Sequence, residues 1–208
     1  MNKKELIKEL EDRGIREEIL KVIEKVDRKD FILEKNLNEV YEDHPLSIGY
    51  GQTISQPYTV AFMLQELELK KGDKVLEIGT GSGWNAALIS DIIGEEGKIY
   101  SVEIVKELAE KAKEKLKKYK NIVVLNTDAS HGLAEYAPYN KIILTAAPKK
   151  IAEEFKEQLA DEGILLAPVG EHIQKLIKIT REKNNFTETE NGDFVFVPLV
   201  SGTGNCIY

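Results

Sequence analysis

A lone cysteine, Cys206, in a chain of 208 residues excludes an internal disulfide, so the fold has to be held by its core. Histidine is nearly as scarce. His44, His131 and His172 are scattered, show no metal-ligand spacing with one another or with the thiol, and no metal is expected. No apolar run approaches the length of a membrane span, and the opening MNKKELIKELEDRG lacks the apolar stretch of a signal peptide. The expectation is a cytoplasmic protein with no membrane partner. Positive charge is outnumbered too: 29 lysines and arginines against 36 aspartates and glutamates leave a formal net charge of -7. Such a surface repels phosphate backbones, so nucleic acid is not expected as a partner. What is present, 42% hydrophobic and 31% charged residues, fits one globular α/β domain with a sizeable core, a monomer by default.

Apolar residues at Ile15, Ile19, Val22, Ile23 and Val26 repeat as on one buried helix face, which makes the N-terminal segment helical. From Leu33 to Pro57 the period is lost, and Pro45, Gly49, Gly51 and Pro57 mark a long structured loop. Val60, Met63, Leu64 and Leu67 predict a second helix from Tyr58 to about Leu69. After Lys74 short apolar runs alternate with amphipathic helices: KVLEIG, NAALISDII, KIYSVEI, VKELAEKAKEKLKKY, NIVVLN, KIILTA, IAEEFKEQLA and GILLAPVG. That order calls for a mainly parallel sheet flanked by helices, a doubly wound α/β fold. QKLIKIT and DFVFVPLV, joined by the polar REKNNFTETENG, read as an antiparallel C-terminal hairpin whose second strand covers Phe194 to Val200. Residues 1–56 would form a helical and loop cap on an α/β core of residues 57–208.

The segment VLEIGTGSGWNAAL carries the densest information. A strand runs into Gly79, Thr80, Gly81, Ser82 and Gly83 and then into a helix, a turn that lets backbone approach a ligand at the carboxyl end of the sheet. The frame from Gly81 formally satisfies a dinucleotide fingerprint, whereas the frame from Gly79 places Trp84 where a small residue is needed. Glu77 favours another ligand: a carboxylate two residues before the first glycine repels a pyrophosphate but suits the sulfonium and ammonium of S-adenosylmethionine. The alternative for Glu77 is a structural brace. Glu103, followed by Ile104, ends the next strand about 20 residues past the glycines, where a carboxylate accepts from two ribose hydroxyls; the alternative is a solvated strand-end acid. After the third strand, Asp128 with Ala129 is placed to meet an adenine, or else Asp128 forms an Asx turn.

The chain resembles the protein L-isoaspartate O-methyltransferase family along nearly its whole length. The likeness lies in GIREEILKVIEKVDRKDFI, PLSIGYGQTISQP, VLEIGTGSGWNAALIS, APYNKIILTAAP with EQLADEGILLAPVG, and FVPLVSG. It implies the seven-stranded, Rossmann-like fold of S-adenosylmethionine-dependent methyltransferases. It also implies methyl transfer to the α-carboxylate of isoaspartyl residues in damaged proteins and peptides, with S-adenosylhomocysteine as product. The carboxylate is already ionised at neutral pH, so alignment and desolvation are needed rather than a strong base. By the family's pattern Ser55 would donate to the substrate carboxylate, as against serving only as a helix N-cap. Gln52, Thr53 and Ile54 would line the cleft, or merely pack the loop. Tyr58 and the backbone of Phe196 and Val197 would meet substrate, as against an apolar strand in the core. The chain departs from the family at Thr127 and Ala129, where glycine is usual, at Tyr58, where histidine is common, and at Trp84, where tyrosine is frequent.

Three rivals remain. A nucleic-acid base methyltransferase should carry an acid or asparagine, two prolines and an aromatic after the fourth strand, where this chain has Thr145-Ala146-Ala147-Pro148. A nicotinamide-dependent oxidoreductase and a non-catalytic binding relative are separated from the favoured reading by which nucleoside the protein binds.

Overall fold

The computed structural model describes residues 1–202, and Cys206 lies outside them. Helix α1 (Lys3–Asp12) opens with a capping box: Asn2 Oδ1 accepts from the Lys4 and Glu5 amides, and the Glu5 carboxylate accepts from the Asn2 amide. Helix α2 (Glu17–Lys25) carries the apolar face anticipated from its spacing, with Ile19 and Ile23 buried beside Ile15 and Val26. The stretch expected to be irregular holds a 3-10 turn at Glu34–Glu39 and a small antiparallel pair, β1 (Leu46–Gly49) and β2 (Gln52–Ile54). Strands this short carry too few alternations to register as a pattern. Helix α3 (Pro57–Leu67) begins with proline at its first turn, where a missing N–H costs nothing.

The main sheet has seven strands: β3 (Lys74–Ile78), β4 (Lys98–Glu103), β5 (Ile122–Asn126), β6 (Tyr139–Leu144), β7 (Leu159–Val169), β8 (Gln174–Glu182) and β9 (Asn185–Phe194). Their order is β5-β4-β3-β6-β7-β8-β9. All neighbours from β5 to β7 pair parallel, whereas β8 is antiparallel to both β7 and β9. The chain winds outward through β4 and β5, then returns to the other side of β3 as β6. A crevice therefore opens at the carboxyl end of β3, where the winding reverses. Helices α4 (Trp84–Ile93) and α5 (Lys106–Leu116) follow β3 and β4, and the single turn α6 (Glu153–Glu157) precedes β7. Alternate residues feed two cores: Val75 and Ile143 join the N-terminal helices, α3, α4 and α5, while Leu76, Ile78, Ile142 and Leu144 pack with Phe155 on the opposite face. Both faces of the parallel region are thus covered, as such strands require. The doubly wound, mainly parallel sheet with N-terminal helices and a C-terminal hairpin is the fold expected from the sequence.

Two boundaries differ from expectation. The helix read across IAEEFKEQLA stops at Glu157, because Leu159 is fully buried against Tyr139 as the first residue of β7. The hairpin's second strand is the polar NFTETENGDF, not Phe194–Val200. As the edge of the sheet, β9 is largely exposed and needs no apolar alternation. Beyond Phe194 the apolar segment leaves the sheet and crosses the carboxyl ends of the strands, where Pro198 forms an isolated parallel bridge with Ala147.

Candidate active site

The glycine loop between β3 and α4 is pinned to the neighbouring strand: the Gly79 and Thr80 amides both donate to Val102 O, at 2.8 and 3.0 Å. Gly79 adopts φ +98°, and a β-carbon there would lie 2.4 Å from Thr145 Oγ1. Only glycine allows this approach of β3 to the end of β6. The loop walls an inner cavity of about 1000 Å³ that includes the open solvent at its mouth. Of the residues anticipated for a cofactor, Gly79, Thr80, Gly81 and Ser82 line it from the loop, and Glu103, Ile104 and Ala129 from the adjoining strand ends. Gln52, Thr53, Ile54 and Ser55 close it from β2, and Phe196 and Val197 from the C-terminal segment.

Glu103 ends β4 with 6% of its surface exposed, so it is not a solvated strand-end acid. Its Oε2 accepts from the Gly81 amide at 2.8 Å and its Oε1 from the Val105 amide at 2.9 Å. A carboxylate has about four lone-pair sites, so two are left for ligand hydroxyls. Burial raises its pKa against the pull of those amides.

Glu77, Asp128 and Gly83, also expected to meet the cofactor, do not line the inner cavity. Glu77 is fully buried behind the loop, accepting from Asn85 Nδ2 at 2.8 Å and from the Ser101 hydroxyl, which also lies 2.6 Å from Thr80 Oγ1. It is a brace whose partners are side chains. Burial pushes its carboxyl up to about 7, against hydrogen bonds from Ser101 and Asn85 that pull it down. Asp128 makes the Asx turn, its Oδ1 accepting from the Ser130 amide at 2.8 Å, while its Oδ2 accepts from the Gly202 amide at 2.5 Å. Burial would raise this carboxyl, but the Gly202 and Ser130 amides outweigh it and hold the pKa below the ordinary value. Gly83, at φ +87°, lets Leu116 of α5 pack 3.1 Å from where a β-carbon would stand.

A second, outer cavity adjoins the first. Thr53, Ser55, Thr145, Phe196 and Val197 line both, so they form the partition between them. Tyr58 lines only the outer cavity, with the Arg13 guanidinium 3.3 Å from its ring centroid. Rings of Tyr58, Phe62, Phe194 and Phe196 follow one another at 5.6 to 6.4 Å and join α3 to the segment after β9. Ser55 does not cap α3. Asp43 Oδ1 accepts from the Tyr58 amide at 2.8 Å and its Oδ2 from Gln56 Nε2 at 2.7 Å, so the helix start is held by a residue well upstream. The C-terminal segment is fixed by its backbone: Phe196 N donates to Gln174 Oε1, Ala147 N to Val197 O and Leu199 N to Ala147 O, each at 2.8 Å. The Phe196 amide and the Val197 carbonyl are therefore already engaged within the protein.

Sequence reasoning missed Arg28, Asp43, Thr145, Asn85, Ser101 and Gln174. Each acts by holding a backbone or a carboxylate, all but Asn85 across a long stretch of chain, and no local spacing announces such a role. Among the described residues, no group of three or more His, Cys, Asp or Glu could hold a metal, and no helix is long and apolar enough to cross a membrane.

Comparison with known proteins agrees with this geometry. A family model described as protein-L-isoaspartate(D-aspartate) O-methyltransferase matches residues 1–204. A protein-L-isoaspartate O-methyltransferase of Ignicoccus hospitalis is 44% identical over 95% of this chain and 97% of its own. One from Methanosarcina mazei is 43% identical over 97% of this chain and 84% of its own. Among solved structures, a protein-L-isoaspartate O-methyltransferase superposes with a TM-score of 0.87 at 28% identity, over 97% of this chain and 67% of that one. A Plasmodium falciparum structure described as a proposed protein-L-isoaspartate O-methyltransferase in complex with S-adenosyl-L-homocysteine has a TM-score of 0.86 at 26% identity, over 97% of this chain and all of its own.

Proposed function

The chain belongs to the protein-L-isoaspartate(D-aspartate) O-methyltransferase family, and from that premise we propose how its residues carry out the reaction. It is an S-adenosylmethionine-dependent enzyme of protein repair that methylates the α-carboxyl group of isoaspartyl residues. When bound, S-adenosylmethionine supplies the methyl group. The inner cavity suits such a donor: Glu103 keeps two free acceptor sites for a vicinal diol, and the glycine loop brings backbone, without side chains, against the ligand. Glu77 braces the loop from behind, through Ser101 and Thr80 rather than by contact with the donor. Ala129 takes the adenine end of the cavity.

The observation that carries the assignment of roles is the partition between the two cavities. The inner one takes the donor and the outer one the isoaspartyl peptide, and Ser55 is exposed to both. Its hydroxyl donates to one oxygen of the substrate carboxylate, which leaves the other oxygen aimed across the partition. The attacking group is an ionised carboxylate, so no side chain has to remove a proton. Holding it in line and away from water supplies the catalysis. Thr53 and Thr145 border the same opening, and Tyr58 and Phe196 flank the peptide.

Methyl transfer to an isoaspartyl peptide and to its aspartyl twin tests this reading. Transfer should be confined to the isoaspartyl form, and Ser55→Ala should lower kcat by about 10- to 150-fold, the equivalent of the roughly 1.5–3 kcal/mol of one hydrogen bond to a charged group. Equal transfer to both peptides would refute the acceptor, and a Ser55→Ala enzyme at full rate would refute the role of the hydroxyl. We also propose a cytoplasmic monomer of one methyltransferase domain, residues 1–56 capping the core of residues 57–208, with no membrane partner. The net charge of -7 argues against a nucleic-acid partner.

A further inference from the structure

Arg28 stands on the 3-10 turn Arg28–Phe31 with 2% of its surface exposed. All four of its Nη hydrogens go to main-chain carbonyls. Nη1 donates to Val40 O at 2.9 Å and Glu42 O at 3.1 Å, and Nη2 to His44 O at 2.9 Å and Ser55 O at 3.1 Å. Its Nε is the one buried side-chain nitrogen or oxygen among the described residues without a hydrogen-bond partner. Asp43 attracts it through space, and burial still lowers its pKa to about 10.

Burying a guanidinium against neutral acceptors is costly, and packing alone is served as well by an apolar side chain of similar volume. A guanidinium adds what no apolar group has: a planar fork of N–H bonds with fixed directions. Here the fork joins the 40–44 stretch to Ser55. The end of α2, two residues before this turn, is moored to the cofactor side of the molecule, because Trp84, the first residue of α4 after the glycine loop, donates from Nε1 to Val26 O at 3.0 Å. The Arg28 guanidinium lies 5.6 Å from the Trp84 ring centroid. A short path of contacts therefore runs from the glycine loop through Trp84 and Arg28 to the Ser55 carbonyl.

We propose that Arg28 is a positioning residue for methyl transfer: by holding the Ser55 backbone it keeps the Ser55 hydroxyl in register with the glycine loop. This rests on the role given to Ser55 above. Arg28 touches neither cavity and acts only through Ser55.

The test is a cycle of Arg28→Lys, Ser55→Ala and the double variant, measuring kcat, peptide KM and, by calorimetry, affinity for S-adenosylhomocysteine. Lysine keeps the charge and loses the fork. Arg28→Lys should lower kcat about 10-fold, the scale expected when a reacting group is displaced by less than an ångström. Its affinity for S-adenosylhomocysteine should stay within about twofold, and its effect in the Ser55→Ala background should shrink below about twofold, since coupled residues do not add. A slow Ser55→Ala beside an Arg28→Lys at full rate overturns the role of Arg28 alone, as do losses that multiply in the double variant. A Ser55→Ala at full rate overturns both assignments. If Arg28→Lys does not fold, a crystal structure of the unaltered protein with S-adenosylhomocysteine and an isoaspartyl peptide decides the matter. Ser55 O still on Arg28 Nη2, with Oγ facing the peptide carboxylate, supports the proposal, and a Ser55 carbonyl turned away from Arg28 overturns it.

Discussion

Replacing Gly79 with alanine tests the contact on which the glycine loop is built. The new β-carbon would sit 2.4 Å from Thr145 Oγ1, at a backbone φ of +98°. The left-handed conformation by itself costs an L-residue roughly 1–2 kcal/mol. Thr145 must also withdraw, and its hydroxyl now donates to Gly79 O at 2.6 Å and Ile78 O at 3.1 Å. Giving up that shared proton costs roughly 1–2 kcal/mol more, chiefly at Gly79 O, because Ile78 O keeps the Thr145 amide as a donor. The expected sum is about 2–4 kcal/mol by urea unfolding, or a fall of roughly 5–15 °C in Tm for a chain of this size. Thr145→Ala removes the obstructing oxygen, so in that background Gly79→Ala should cost only the backbone part, a coupling of about 1–2 kcal/mol. Affinity for S-adenosylhomocysteine should fall in Gly79→Ala, because the displaced loop moves into the cavity, and recover in part in the double variant. An alanine at 79 as stable as the parent, or one equally costly in both backgrounds, would refute the reasoning.

Glu77 should make stability depend on pH. Its carboxyl is held at about 7 in the folded protein against an ordinary 4.5, so between those values the folded state keeps a proton that the unfolded chain releases. Its contribution is complete below about pH 4.5 and is lost as pH rises toward 7, on the order of 3 kcal/mol in all. Glu77→Gln, with the Ser101 hydroxyl turned to accept from the new amide, should gain on the parent from pH 4.5 to 7.5 in urea titrations; parallel curves would show that Glu77 titrates normally. Asp128→Asn keeps an oxygen for the Ser130 amide and loses the charged acceptor of the Gly202 amide. Dissociation of S-adenosylhomocysteine in stopped-flow should speed up about 2- to 10-fold, the change expected for one charge-assisted hydrogen bond at a partly exposed site. An unchanged rate would mean that this contact does not retain the ligand.

Periodicity was legible wherever an element buries one face. The α5 residues Leu108, Ala109, Ala112 and Leu116, spaced as on one helix side, are all buried. The strands KVLEI and KIIL, whose Val75, Leu76, Ile78, Ile142, Ile143 and Leu144 are all buried, form the doubly covered centre of the sheet. It failed where burial is slight or the element is short, as at the exposed strand β9 and the pair β1 and β2. Among the acids, Glu103 faces the cavity, while Glu77 braces the loop from behind and Asp128 forms the Asx turn, the alternatives that the sequence left open for both. A side chain's direction depends on which neighbour offers a donor, and those donors come from residues such as Ser101, 24 positions away from Glu77.

By itself the sequence determined the alternation of strand and helix, the glycine turn at the end of the first main strand and the segments that mark the family, because each depends on residues close together along the chain. Tertiary structure alone decided that Ser55 stands between two cavities, that Asp43 rather than Ser55 caps α3, and that a buried Arg28 ties four carbonyls together. Those outcomes come from hydrogen bonds between stretches that meet only after the sheet has formed, where each buried polar group must take whichever partner the fold brings within reach.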